Sequence, residues 1–260
     1  MEGTVQANRA LIFEKKTTKD MVGNFRKIMY YQPVVSAAAS EVVFYESLLR
    51  FVGEDGAMFA PTPFVQRAEA NGSIVALDSD SLSIVFKALN ANPYLILSVN
   101  VSCLSLEHSL WAQSFYEGAK AYPDVLSRLI IEVTETQNFL LSPEACDRLR
   151  HIRSLGVRLA LDDVDQVLFP CLQMRLQSGN FLVDFLKISR HLTGAFEKSS
   201  GHTDQLSALL GLAHDYGITP IMEGVETKAQ SESLATQGIV VQQGYYWGRP
   251  ASVFAAILPS

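Results

Sequence analysis

The sequence predicts an α/β fold: a closed barrel of about eight strands that opens on an antiparallel hairpin. Three observations carry this. Strand-like apolar runs alternate with helical ones along most of the 260 residues, the order of a parallel sheet covered by helices. The first two strand-like runs, 28–35 and 41–51, are joined only by Ser36-Ala37-Ala38-Ala39-Ser40. That link is too short for a parallel crossover and suits a hairpin. Finally, several apolar runs end in an acid or amide, as barrel strands do where they build an active site.

Residues 1–24 are polar and mixed in charge and read as a tail or leading helix, and 25–260 read as one barrel domain. Segments 64–70 and 74–89 have helical apolar spacing, and 95–102 is strand-like. Residues 106–121 read as one helix closed by Pro123, followed by a strand at 129–134. The helix expected over 143–155 has Pro143 at its start and Gly156 just past its end. Strands follow at 158–164, 185–188, 219–225 and 240–245. Helices 203–216 and 227–237 lie between the last of them and end at Gly217 and Gly238. Residues 164–184 read as an irregular rim loop, a place for gating, regulation or partner contacts.

Composition excludes several classes. A net charge of −6 argues against a nucleic-acid polymer as partner. An acidic protein still binds a small phosphate ligand when metals supply positive charge. The three cysteines, Cys103, Cys146 and Cys171, form no CxxC pair, which fits a reducing compartment. No stretch of roughly 18 apolar residues exists, so no membrane span is expected and the protein reads as soluble and cytoplasmic. The five histidines make no HxxxH or HExxH spacing and read as structural or surface residues.

The chemistry lies in the strand ends. Glu46, Glu132, Asp162, Asp163 and Glu223 each close or follow an apolar run, and Asn100 adds an amide oxygen. Massed carboxylates repel one another, and hard divalent cations such as Mg2+ or Mn2+ remove that conflict. Adjacent aspartates suit two ions about 3.5–4 Å apart, the spacing of two-metal phosphodiester hydrolysis. Lys187 suits a water or phosphate oxygen, and Arg50 a bidentate phosphate contact. Tyr245 and Tyr246, beside Gln243, suit a ligand base. Alone, each residue also has a structural reading: Asp162-Asp163 as a cap, Asn100 as a turn residue, Lys187 as an ion-pair partner.

At these residues, from about Tyr30 to Pro250, the chain resembles the EAL domain family of cyclic di-GMP phosphodiesterases. Tyr31-Gln32-Pro33-Val34 resembles the family's opening YQP motif, and Glu46-Ser47-Leu48-Leu49-Arg50 stands at EALLR with Ser for Ala. Asn100-Val101-Ser102 is similar to NxS, Glu132-Val133-Thr134-Glu135 to ExTE, and Asp162-Asp163 to the start of DDFG. Leu186-Lys187-Ile188 stands at the start of LKID, where Ser189 replaces the final Asp, and Glu223-Gly224-Val225-Glu226 and Gln243-Gly244-Tyr245 stand at EGVE and QGY.

The resemblance implies a modified (β/α)8 TIM-type barrel whose first strand is antiparallel. It implies two divalent cations, Mg2+ or Mn2+, held by Glu46, Asn100, Glu132, Asp162, Asp163 and Glu223, with Ca2+ expected to bind and inhibit. Lys187 would act in catalysis together with Glu46, Asp162 and Asp163, while Gln32, Arg50, Gln243 and Tyr245 would contact the cyclic di-GMP substrate. Glu135 would anchor the loop after the aspartates, Glu226 would support the site, and that loop would help form a homodimer.

The loop is where the chain departs. DDFGTGYSSL becomes Asp162-Asp163-Val164-Asp165-Gln166-Val167-Leu168-Phe169-Pro170-Cys171-Leu172, without either glycine. Glycines reach positive φ at no steric cost, and Asp165 and Val167 do not. The departure bears on turnover and dimerisation more than on fold or nucleotide binding. Three readings stay open: a phosphodiesterase yielding linear pGpG, a cyclic di-GMP receptor without turnover, and a module acting through a protein partner.

Overall fold

The computed structural model describes residues 25–134, 141–164, 169–177, 179, 183–193 and 204–254. Its centre is a ring of eight strands: β1 (Arg26–Ser36), β2 (Glu41–Val52), β4 (Leu97–Ser102), β5 (Leu129–Thr134), β6 (Arg158–Val164), β7 (Phe185–Ile188), β8 (Thr219–Met222) and β9 (Val241–Gln243). The order is β1-β9-β8-β7-β6-β5-β4-β2, and β1 pairing with β2 closes it. β1 is antiparallel to both its neighbours, and all other pairs in the ring are parallel. A two-residue strand, β3 (Met58–Phe59), pairs with the far end of β2 and was not expected. The barrel with its antiparallel first strand is therefore as the sequence predicts.

Strand periodicity decides what the barrel holds. On β5, Leu129, Ile131 and Val133 join the large core between sheet and helices, while Ile130 joins a second, smaller core. That smaller core is Val34, Phe44, Ile130, Ala160, Phe185, Ile221 and Val241, one residue from each strand of the ring except β4. On β4 the buried Ser98 pairs with Glu46 on one side and Ile130 on the other. Two residues on from this layer the same faces carry Glu46, Asn100, Glu132, Asp162, Lys187, Glu223 and Gln243. On antiparallel β1 the step is reversed, and Gln32 stands two before Val34. The interior is thus an apolar floor topped by a layer of polar side chains, set by parity alone.

The helices are α1 (Thr62–Asn71), α2 (Ile74–Ala91), α3 (Cys103–Leu106), α4 (Ser109–Ala121), α5 (Pro143–Ser154), α6 (Phe169–Gln177), α7 (Asp204–Asp215) and α8 (Lys228–Thr236). The single helix expected at 106–121 is two. Ser102 caps the first, and His108 Nδ1 accepts from the Leu110 amide at 3.2 Å to start the second. The segment expected to be irregular, 164–184, contains α6. Among the described residues no helix is long and apolar enough to cross a membrane.

Gly244 follows the polar layer where β9 ends. A Cβ there would lie 2.0 Å from the Val225 carbonyl oxygen, because two backbones pass in contact at this point. The Val225 amide donates to Gln243 O and the Tyr246 amide to Val225 O, both at 3.1 Å, locking that approach. Gly244→Ala is therefore expected to lower unfolding free energy by about 1–3 kcal/mol through overpacking. Denaturant unfolding measures it, and a change within error would show that the contact relaxes freely.

Candidate active site

The polar layer converges on one ammonium. Lys187 Nζ, on β7, lies 2.7 Å from Glu132 Oε2, 2.8 Å from Asp162 Oδ1, 3.0 Å from Glu223 Oε1 and 3.3 Å from Glu46 Oε2. Its side chain is 1% exposed. Amides complete the ring. Asn100 Nδ2 donates to Glu46 Oε1 at 2.9 Å, and Gln243 Nε2 donates to Glu46 Oε2 at 2.6 Å. Gln243 Nε2 also reaches Gln32 Oε1 at 3.4 Å, and Gln32 Nε2 donates to the Gly248 carbonyl at 3.0 Å. This amide relay around Glu46 was not foreseen. Its signal was the Gln32–Glu46 strand pairing, which a hairpin register would have given.

Four carboxylates around one cation cannot all ionise cheaply. Burial raises Glu132 to about 8 and Glu223 to about 7, against the pull of Lys187. Burial also raises Asp162. For Glu46, burial acts upward too, but Lys187, Gln243 and Asn100 together outweigh it and hold the carboxyl below its usual range. Lys187 would be lowered by burial, yet the four carboxylates push it well above the ordinary lysine value.

Among the described residues, Asn100 Oδ1, Glu132 Oε1 and Gln243 Oε1 of the cluster are buried with no hydrogen-bond partner, and Asp162 Oδ1 has the Lys187 ammonium beside it. Carboxylate oxygens of Glu46, Glu132 and Asp162 lie within 4.8 Å of one another. Unpaired hard oxygen donors beside surplus buried carboxylate fit a divalent cation of the Mg2+ or Mn2+ type.

Other predicted residues are placed differently. Asp163 is exposed and has φ of 49°, and it is not among the four carboxylates paired with Lys187. Glu226 is exposed, and its amide donates to Gln230 Oε1 at the start of α8. Glu135 lies outside the described residues, as does 165–168 of the altered loop. Arg50 is half-buried; its Nη1 donates to the Leu49 carbonyl at 2.8 Å, and its guanidinium lies 5.7 Å from the Tyr30 ring centre. Tyr245 is exposed, with the Arg249 guanidinium 3.9 Å from its ring centre. A cavity of about 390 Å³ opens beside Glu46, Asn100 and Asp162 and runs under α1 and α2.

The sequence matches the EAL domain family over residues 17–250. The protein belongs to that family. It is 32% identical over 98% of its length to a signaling protein of Caulobacter vibrioides, covering 31% of that protein. It is 27% identical over 89% of its length to a probable cyclic di-GMP phosphodiesterase, PdeG, of Escherichia coli K12, covering 46% of it. The chain thus spans less than half the length of these curated relatives. Among solved structures, the PaMucR phosphodiesterase in complex with c-di-GMP superposes with a TM-score of 0.72 at 25% identity, over 86% of this chain and 92% of that one. An EAL domain protein from Listeria monocytogenes gives 0.73 at 25% identity, over 87% and 89%.

The raised carboxyl groups set a pH dependence. Glu132 and Glu223 bind protons more tightly folded than unfolded, so their contribution is full below the ordinary carboxylate value of 4.5. It is lost as pH rises through about 7 to 8. Without divalent cations, thermal stability should therefore fall between pH 5 and pH 8, and millimolar Mn2+ should flatten the slope. Lys187→Met should cost about 3–5 kcal/mol at pH 8, where it strands buried charge, and much less at pH 5. Equal losses at both values would mean that the lysine is not the counter-ion of this cluster.

Proposed function

We propose that this protein is a metal-dependent phosphodiesterase that hydrolyses one phosphodiester of cyclic di-GMP to linear pGpG. The observation that carries the reading is the convergence of Glu46, Glu132, Asp162 and Glu223 on Lys187 Nζ within 3.3 Å, with Asn100 joined to Glu46. Relatives named as cyclic di-GMP phosphodiesterases and a cyclic di-GMP complex among the structural neighbours support the substrate.

Glu46, Asn100, Glu132, Asp162 and Glu223 would hold two divalent cations, with Asp163 as a further ligand once its side chain turns inward. When bound, the cations supply positive charge at phosphorus and lower the pKa of a water. Glu46, kept ionised by its neighbours, serves as a ligand without needing to lose a proton first. Lys187 shares three N–H donors among four carboxylates, and once cations took over some of those carboxylates it would direct a freed donor at the water or at a phosphate oxygen from a fixed position. Water adds across one P–O3′ bond; the phosphate stays on the 5′ oxygen, and the 3′ oxygen takes a proton. Arg50, half-buried on β2, suits the second phosphate as a bidentate donor. Gln32 and Gln243 hold each other and Glu46, and they present amide groups toward the dinucleotide. Tyr245, exposed at the rim, offers a face for a base.

One observation favours a second reading, a receptor that binds cyclic di-GMP with little turnover. Asp163 is exposed with a positive φ, next to a stretch whose sequence lacks the family's glycines. The test is incubation with cyclic di-GMP and Mg2+ or Mn2+, followed by chromatography. Conversion to pGpG, abolished by chelator and reduced at least 100-fold by Glu46→Ala, is the expected outcome. Absence of product with tight binding in Ca2+ would replace the enzyme with the receptor. Absence of both would leave the protein-partner reading.

A further inference from the structure

We propose that Asp78 and Glu69 are positioning residues that grip Ser102, fixing the end of β4 so that Asn100 presents its side-chain oxygen to the cation site. The inference rests on the metal-site reading above. Its origin is a gap in the barrel. β2 and β4 are paired only through Tyr45–Leu97, Glu46–Ser98 and Ser47–Val99. β2 then continues to Val52 with β1 and β3 as partners. The last three residues of β4, Asn100 to Ser102, keep a strand neighbour only on the β5 side. The cavity of about 390 Å³ enters at this gap, between Ser47–Leu49 and Val99–Ser102.

Two helices supply what the missing strand does not. Asp78, on α2, accepts from the Ser102 amide through Oδ2 at 2.9 Å. Glu69, on α1, accepts from Ser102 Oγ through Oε1 at 2.9 Å. Ser102 Oγ in turn accepts from the Leu104 amide at 3.4 Å and starts α3. The same residue thus ends the strand, begins the helix and is held by two carboxyl groups.

The carriers are themselves braced. Lys27 of β1 forms an ion pair with Asp80 of α2. Arg128 donates to the carbonyls of Leu89, in the last turn of α2, and of Asn92 and Leu95 just past its end, at 2.9–3.1 Å. Asp78 is 7% exposed, and burial pushes its carboxyl up to about 7. A buried acid costs stability unless it serves something. Asn100 stands two residues before Ser102 on the same face, its Nδ2 already bound to Glu46, so the direction of its free Oδ1 depends on where β4 ends.

The experiment combines amide hydrogen exchange with Mn2+ binding by calorimetry. Asp78→Ala should speed exchange at residues 100–103 while β5 stays protected. It should also weaken Mn2+ binding about tenfold, as removal of supporting contacts around a metal ligand does. In an Asn100→Ala background the same change should add no further loss. Asp78→Asn, which keeps an oxygen acceptor, should restore both readings. If Asp78→Ala does not fold, Glu69→Ala carries the same comparison, since it removes the acceptor of the Ser102 hydroxyl and leaves that hydroxyl's cap on the Leu104 amide in place. Unchanged exchange overturns the clamp, and a loss that adds fully to that of Asn100→Ala overturns its action through Asn100. Failure of the unmutated protein to bind Mn2+ overturns the metal-site reading instead, and exchange alone then decides whether the clamp exists.

Discussion

Everything at this site depends on the imbalance around Lys187. One buried ammonium faces four carboxylates, Glu46 and Glu132 buried with it and Asp162 and Glu223 part-buried, and one cation cannot neutralise four anions. The surplus is met partly by protonation, which is why burial drives Glu132 and Glu223 upward while Glu46 stays ionised. Such an arrangement is poor stabilisation by itself, because desolvation offsets much of the Coulomb gain. It makes sense as a site that additional cations complete. The lysine then has two duties that do not conflict. It holds the carboxylates together in the absence of cations, and under the proposed reading it would remain as a fixed donor once they bind.

The barrel delivers this chemistry by counting. Each strand contributes a floor residue and, two positions on, a polar one: Phe44 then Glu46, Ile130 then Glu132, Ala160 then Asp162, Phe185 then Lys187, Ile221 then Glu223. A shift of one residue in any strand would turn a charge into the helix-facing core and an aliphatic side chain into the site. Register is therefore under strong constraint. The tight approach of Gly244 to Val225 and the closing β1–β2 ladder both enforce it. The antiparallel β1 obeys the same parity in reverse, which is how Gln32 arrives beside Glu46 and Gln243.

This parity is also why much was legible from residues alone. Apolar runs ending in Glu132, Asp162 or Lys187 carry both the strand and its cargo, and β5, β6 and β7 have the bounds the sequence predicts. What escaped was set by contacts remote in sequence. β3 exists because the end of β2 has an open edge to pair with. The break between α3 and α4 comes from His108 capping with its ring, a role few histidines take. Within α6, apolar spacing was masked by Pro170 and by the expectation of a rim loop. Asp78 was visible as a lone acid on the apolar face of the 74–89 helix, with Ile74, Leu77 and Leu82 around it. Its meaning needed Ser102, 24 residues away.

The adjacent aspartates show where parity stops being enough. Neighbouring residues on a strand face opposite sides, so Asp162 and Asp163 cannot both enter the barrel from regular β6. The β6–β7 register does break, between Leu161 and Val164, and Asp163 takes φ of 49° within the break. A non-glycine residue there bears strain on the order of 1 kcal/mol, and aspartate tolerates it better than most. Even so, the Asp163 side chain ends exposed. Immediately after it, Val164-Asp165-Gln166-Val167 stands where the family motif has a glycine-containing stretch. β-branched Val164 and Val167 resist the conformations glycine takes freely. Parity thus brings Asp162 to 2.8 Å from Lys187 and leaves Asp163 exposed, so a part for the second aspartate in a cation site would rest on geometry outside regular β6.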